Sequence, residues 1–508
     1  MSNYVSGVVL AFVAAATVSH AADPSSASVQ KNLAATRAHY AELLAGPSPR
    51  VAELTLFTER LPKGGDLHHH YAGALYVETY LEWAAAQGHC IFTVTDPALK
   101  AEKYKVSTRP KDLSDAARAA CMDVDAARKD DAFFRELLKR WSDKDYDNHF
   151  HEQLPPDQQF FTTFSYFDPV SELDYRGGLV TLREYAKAEN VSYLETMLKG
   201  GPSVDKPEID GLLGNITVDT PDAELNAALD KAFDLMANDP AVTAKLDSYL
   251  KLLEDTGKAV QDDDFTLRFQ SYLPRHMALS KTFIRLYTSF AADARSEWIV
   301  GVNFVGPENR FVAMRDYRLH MKLFGYLKQR FPGTHVSLHA GELVPGMVPP
   351  DGLRTHISDA VLLAGADRIG HGIDIAHESG AESLMATMKQ RPVAVEVNLT
   401  SNEFILGVRD EAHPLRLYQR HGVPFVIATD DAGVSRITLA GEYLLYVTRY
   451  RPSYDELKTA VYNSIRYAFL SEADKRVELQ KLDRRFAAFE AGIASLPTGR
   501  QASSQSRK

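Results

Sequence analysis

Val336-Ser337-Leu338-His339-Ala340-Gly341-Glu342 is a short apolar run that stops in an imidazole, an Ala-Gly turn and a carboxylate. Such a run reads as a strand buried on both faces, with its chemistry at the C-terminal end. The same pattern recurs along the chain. Arg368-Ile369-Gly370-His371-Gly372 ends in an imidazole flanked by glycines, and Pro424-Phe425-Val426-Ile427-Ala428-Thr429-Asp430-Asp431 runs from a fully apolar strand into two carboxylates. Leu61-Pro62-Lys63-Gly64-Gly65-Asp66-Leu67-His68-His69-His70 closes on three histidines. Segments 61–68, 191–197, 267–273, 298–305, 336–339, 368–371, 393–398 and 425–429 give eight candidate strands. Helical patterns lie between many of them, 317–330 and 358–365 among them. This alternation implies a parallel sheet with crossover helices, and eight units favour a closed ring over an open sheet. The expected fold class is therefore α/β, a (β/α)8 TIM-type barrel with an N-terminal helical extension and long rim insertions.

The chain has 508 residues, 45% hydrophobic and 24% charged. That composition excludes global disorder and fibrous repeats. The net charge of −10 speaks against a nucleic-acid or polyphosphate partner and leaves small molecules or proteins. Two cysteines exclude a disulfide-stapled scaffold and a four-cysteine zinc module. Residues 5–18 are apolar and lead into Ser19-His20-Ala21, a small-x-small pattern, so residues 1–21 read as a secretory signal peptide, although Met1 to Tyr4 carry no Lys or Arg. The apolar run is short for a membrane span, so no stable anchor is expected after cleavage. Export to the periplasm or the extracellular space would place Cys90 and Cys121 in an oxidising compartment. A bridge between them would close a polar stretch of little periodicity and contribute about 3–4 kcal/mol. The expected organisation is residues 22–60 as the helical extension, 61–500 as the barrel with insertions at about 84–158 and 199–264, and 501–508 as a polar tail. The second insertion contains a strong helical stretch, 222–260.

Four sites carry the chemistry. His68 and His70 stand at i and i+2 on a strand and so face the same side, with His69 turned away. His339 offers another neutral ligand, and Glu342 can shuttle protons once burial raises its pKa. Asp430 and Asp431, adjacent at a strand end, face different ways and can do different jobs. Each has a plainer reading: solvated histidines, a Glu placed at a helix N-terminus, an Asp capping the next helix. Together they put three imidazoles and a carboxylate at the C-terminal ends of strands, where barrel active sites assemble, and that is a ligand set for Zn2+.

The pieces PKGGDLHHHYAG, HAGE, GHG, the Thr400-Ser401-Asn402 turn and TDD, in that chain order, resemble the adenosine deaminase family of the metal-dependent amidohydrolase superfamily. The export signal, the insertions and TDDAGVSR resemble its secreted, growth-factor-like branch and bacterial relatives. The resemblance implies one Zn2+ per chain held by His68, His70, His339 and Asp430. It implies Glu342 as proton donor to the purine ring nitrogen, His371 as the imidazole that orients the attacking water, and Asp431 and Gly306 as contacts to the purine. The implied reaction converts adenosine or 2′-deoxyadenosine to the inosine counterpart and ammonia; a homodimer is one open assembly. One departure stands out: the family's acidic residue after the two ligand histidines, which reads the ribose, is replaced here by Tyr71 and Ala72. Adenine or an N6-substituted adenosine is thus an alternative substrate, and a secreted nucleoside-binding protein with weak catalysis an alternative role. Phe160, Phe161, Phe164 and Tyr166 resemble the family's apolar segment near the ribose, though an aromatic cluster on a helix is more often core.

Overall fold

A computed structural model of the chain describes residues 26–96, 101–107, 113–119, 121–146 and 154–497. The expected signal peptide and the expected tail lie outside the described residues. The barrel strands are β1 (Gly64–His70), β2 (Val191–Met197), β3 (Thr266–Pro274), β4 (Ile299–Val305), β5 (Ser337–Ala340), β6 (Arg368–His371), β7 (Ala394–Val397) and β8 (Phe425–Ile427). They form two parallel four-stranded sheets, ordered β1-β2-β3-β4 and β8-β7-β6-β5. Isolated parallel bridges, Val302 with Val336 and His69 with Asp430, join their edges and close the ring. All eight strands fall on the candidate segments. Their apolar, branched side chains suit a surface buried on both faces, and every residue of β2 and β5 to β8 is buried.

β1 starts later than its sequence suggests. The preceding helix, Val51–Arg60, still claims the Leu61 N–H, which donates to Phe57 O at 3.0 Å. An extra residue between Asp66 and His69 then shifts β1 against β2, and the strand runs on to His70. The helical reading of 222–260 also needs correcting. It is two helices, Asp222–Ala237 and Pro240–Val260, because a proline opens the second and the Asp239 carboxylate accepts the Ala241 N–H at its N-terminus. Helix Tyr317–Arg330 has the expected bounds.

The polar stretch of little periodicity between the two cysteines contains paired strands. Cys90–Asp96 pairs antiparallel with Ala101–Ser107, and Met122–Asp123 adds a short third strand. The Ile-Phe-Thr-Val-Thr run carried that signal; its charged partner strand concealed it. Cys90 and Cys121 form a disulfide, their Cα atoms 5.5 Å apart. Helix Ser26–Leu44 packs against helix Glu472–Ala494, where the Phe57 ring meets Tyr40 at a tilt, 5.3 Å away, and Phe489 edge-on, 5.1 Å away. Among the described residues no helix is long and apolar enough to cross a membrane.

Candidate active site

The strands' C-terminal ends converge on one cavity of about 410 Å3, within the range of small-molecule sites. Its lining includes His70, Gly306, His339, Glu342, His371, Asp430 and Asp431. His68 lies directly beneath. One ligand atom from each of His68, His70, His339 and Asp430 falls within 4.8 Å of the others. Asp430 Oδ1 is 3.5 Å from His68 Nε2 and 3.3 Å from His70 Nε2. His69 points away and meets Thr196 Oγ1 at 2.8 Å.

The ring nitrogens facing this cluster meet only one another and Asp430, and the reason lies below them. Asn303 Oδ1 accepts the backbone N–H of Phe304 at 2.8 Å, and the side-chain amide donates to Gln270 Oε1. That fixes the amide's orientation, so His339 Nδ1, 2.9 Å from the same oxygen, must donate to it. The lone pair of His339 Nε2 is then free and points at His70 Nε2, 3.1 Å away. His68 Nδ1 donates to Glu396 Oε2 at 2.6 Å, while its Nε2 is buried with no hydrogen-bond partner. A buried nitrogen without a partner, with two further imidazole nitrogens and a carboxylate converging on it, fits a cation. The electrostatics agree. Burial, reinforced by the neighbouring histidines, holds His339 well below the usual imidazole range. Against burial, Asp430 and Glu396 push His68 up to about 10, so the centre attracts positive charge, proton or metal.

Glu342 is buried, and burial together with Asp430 and Glu308 raises its pKa well above the carboxylate range. Its backbone is clamped: the Gly341 and Glu342 N–H groups donate to the Glu308 carboxylate at 3.2 and 2.9 Å, and His356 and Arg275 hold that carboxylate in turn. His371 is oriented by a relay that begins at a backbone amide. Leu415 N–H donates to His413 Nδ1, so His413 Nε2 carries hydrogen and donates to Asn402 Oδ1. The Asn402 amide then donates to His371 Nδ1 at 2.9 Å. His371 Nε2 therefore bears the hydrogen, 3.8 Å from Glu342 Oε1 and 3.9 Å from Asp430 Oδ2. Burial holds this imidazole neutral, at about 3. His371 and Asp430 both have left-handed backbone, at φ 67° and 62°, a conformation non-glycine residues adopt at a cost.

Asp431 lines the cavity beside Asp430, and its buried Oδ1 has no hydrogen-bond partner. It packs against Gly73, where a Cβ would lie 1.6 Å from that oxygen. Gly73→Ala is expected to fold and to lose about a hundredfold in activity by displacing Asp431, since an ångström of misplacement costs that much; thermal melts beside a turnover assay check it. Gly306 borders the cavity with φ at 95°. Of the aromatic cluster, Phe160, Phe161 and Phe164 line the cavity. Tyr166 does not: it is buried and stacks on Trp141 at 6.0 Å. The sequence reading missed the supporting residues Asn303, Glu308, Glu396 and His413. Two of them left a signal: Asn303 and Glu396 are the lone polar residues in the apolar runs of β4 and β7.

A family model described as adenosine deaminase matches residues 247–485, which include Gly306, His339, Glu342, His371, Asp430 and Asp431. An adenosine deaminase of Enterococcus faecalis is 30% identical over 232 residues, 46% of this chain and 64% of that protein. One from Vibrio cholerae is 33% identical over 189 residues, 36% of this chain and 50% of that protein. The chain thus spans between half and two thirds of these relatives' length. Among solved structures, an Arabidopsis thaliana N6-methyl-AMP deaminase superposes with a TM-score of 0.52 at 17% identity, covering 85% of this chain and 98% of that one. An amidohydrolase from Burkholderia ambifaria with bound zinc superposes at 0.50 and 18% identity, covering 87% and 95%. At these identities the two structures speak to the fold.

Proposed function

For a chain that belongs to the adenosine deaminase family of the amidohydrolase superfamily, we propose hydrolytic deamination of adenosine or 2′-deoxyadenosine at a single Zn2+ site. The observation that carries this reading is one cavity at which the cluster His68, His70, His339 and Asp430 meets a buried carboxyl, Glu342, that burial favours in its neutral form. A zinc ion bound there supplies the Lewis acidity that makes water a nucleophile near neutral pH. The chain's own groups do the rest. His371 Nε2–H orients the attacking oxygen and steadies its charge. Glu342, protonated, gives its proton to the ring nitrogen beside the reacting carbon. A C–O bond forms and the C–N bond breaks; of the two protons of the water, one leaves on the ammonia and the other restores Glu342, while Asp431 and Gly306 hold the base.

The test is ammonia release from adenosine, 2′-deoxyadenosine, adenine and AMP by the purified chain. Turnover is expected with the two nucleosides, to vanish with a chelator and to return with Zn2+. Release from none of the four overturns the reading and leaves a binding role. Tyr71 and Ala72 favour one second reading, an aminopurine without a recognised ribose, and preference for adenine in the same panel would establish it. We also propose that the protein is exported, supported by the 1–21 pattern and by the disulfide. Protein purified from the periplasm or medium is then expected to begin at Ala22; a chain retained in the cytoplasm with Met1 intact overturns export.

A further inference from the structure

One carboxylate in the cavity is unused by the chemistry above. Asp168 lies on helix Pro156–Ser171, on the face that also presents Phe160, Phe161, Phe164 and Ser165 to the cavity. Its side chain is accessible by area but set in a concave wall. Its backbone carbonyl accepts from Ser171 Oγ at 3.0 Å, whereas its carboxylate has no hydrogen-bond partner or countercharge among the described residues. Burial in the wall, and after it the Glu172 carboxylate, push the Asp168 pKa up to about 6, so the group is still ionised at neutral pH. The wall is fixed at both ends. Tyr71 Oη donates to Ser171 O and Asp174 O, both at 3.3 Å, and Asn309 donates to Asp157 at 3.3 Å. Tyr71 is thus a structural tether, and Ala72 beside it borders the cavity without a polar group. An ionised carboxylate on a helix tethered at both ends, with no donor of its own, is open to donors that arrive with a ligand.

We infer that Asp168 is a specificity-determining residue that accepts hydrogen bonds from the sugar hydroxyls of a neutral nucleoside. The inference rests on the deaminase reading above. The carboxylate oxygens can accept from one or two sugar hydroxyls, the three phenylalanines of the same helix offer apolar surface to a flat ring, and a phosphate is repelled by Asp168. The same cavity is also bordered by Arg310 and His276, both exposed to solvent, which could read an anion, so the experiment must separate the two.

The experiment compares wild type, Asp168→Asn and Asp168→Ala on adenosine, on AMP and on 9-methyladenine, which keeps the base and replaces the sugar by methyl. 9-Methyladenine is scored as a substrate or, if its turnover is too slow, as a competitive inhibitor. In wild type, kcat/KM is expected to be higher for adenosine than for either of the others. Both variants are expected to lose at least about tenfold of the adenosine advantage over 9-methyladenine, mainly through KM, as loss of a hydrogen bond to a charged group implies. The gap between adenosine and AMP narrows as well. Equal losses on adenosine and 9-methyladenine, an unchanged ratio between them, or AMP as the better wild-type substrate overturns the inference. Failure of wild type to release ammonia from any of the three instead overturns the deaminase reading.

Discussion

Glu342→Gln is expected to fold, to retain its metal and to lose about a thousandfold in turnover, the range seen when a positioned proton donor is removed. The fold should survive for two reasons. Gln matches Glu in volume, and the segment is held through its backbone: the Gly341 and Glu342 N–H groups donate to Glu308, which Arg275 and His356 anchor. No charge is lost either, because burial, Asp430 and Glu308 already disfavour the ionised form of Glu342. The substitution exchanges one neutral hydrogen-bonding group for another. What the amide cannot do is give up a proton to a ring nitrogen. Metal content by elemental analysis, thermal unfolding and ammonia release, measured on the same preparation, separate these effects. A variant that turns over at near the wild-type rate means that Glu342 is not the acid.

The parts of the molecule that were legible in the sequence are those where one residue type at one spacing has few physical uses. A short apolar run with a histidine or aspartate at its end has little to do except form a buried strand with chemistry at its mouth. Hence β5, β6 and β8 were found with His339, His371 and Asp430 at or just beyond their ends. His68 and His70 were legible through the alternation of a strand. The supporting residues were harder, because their role depends on neighbours far along the chain: Asn303 fixes the tautomer of a residue 36 positions away, and His413 acts on His371 only through Asn402. Asp168 was harder still. It sits in an aromatic segment whose periodicity suits a core helix, and only the packing of that helix across the strand ends turns one of its faces toward the cavity. The hairpin at 90–107 was missed for a different reason. Two strands pair through backbone, and a charged sequence such as Ala-Glu-Lys-Tyr-Lys-Val-Ser advertises nothing of it.

The largest expected loss of stability lies beneath the site. Arg368→Met is expected to cost about 3–5 kcal/mol in urea unfolding, the usual consequence of stranding a buried charge. Arg368 is 1% exposed and fills the barrel interior between two carboxylates of equal burial. Its guanidinium donates to Glu195, to Glu396 Oε1 at 2.6 Å and to the carbonyls of Leu67 and Tyr467, and it lies over the Phe469 ring. Against burial, Arg368 and His68 hold Glu396 down to about 2. Methionine matches the length of the stem but leaves Glu195 and Glu396 facing each other's charge without a cation. The cost therefore arises from what remains, and it should be partly relieved when one carboxylate is neutralised. Arg368→Met with Glu195→Gln is expected to be less destabilised than the sum of the single variants. The same network reaches the catalytic layer, because the Glu396 oxygen not taken by Arg368 orients His68. The single variant should accordingly bind metal more weakly at temperatures where it is still folded, a readout that loss of packing alone would not produce. A cost below about 1 kcal/mol, the size of an ordinary surface ion pair, would show that the carboxylates find protons or water once the guanidinium is gone.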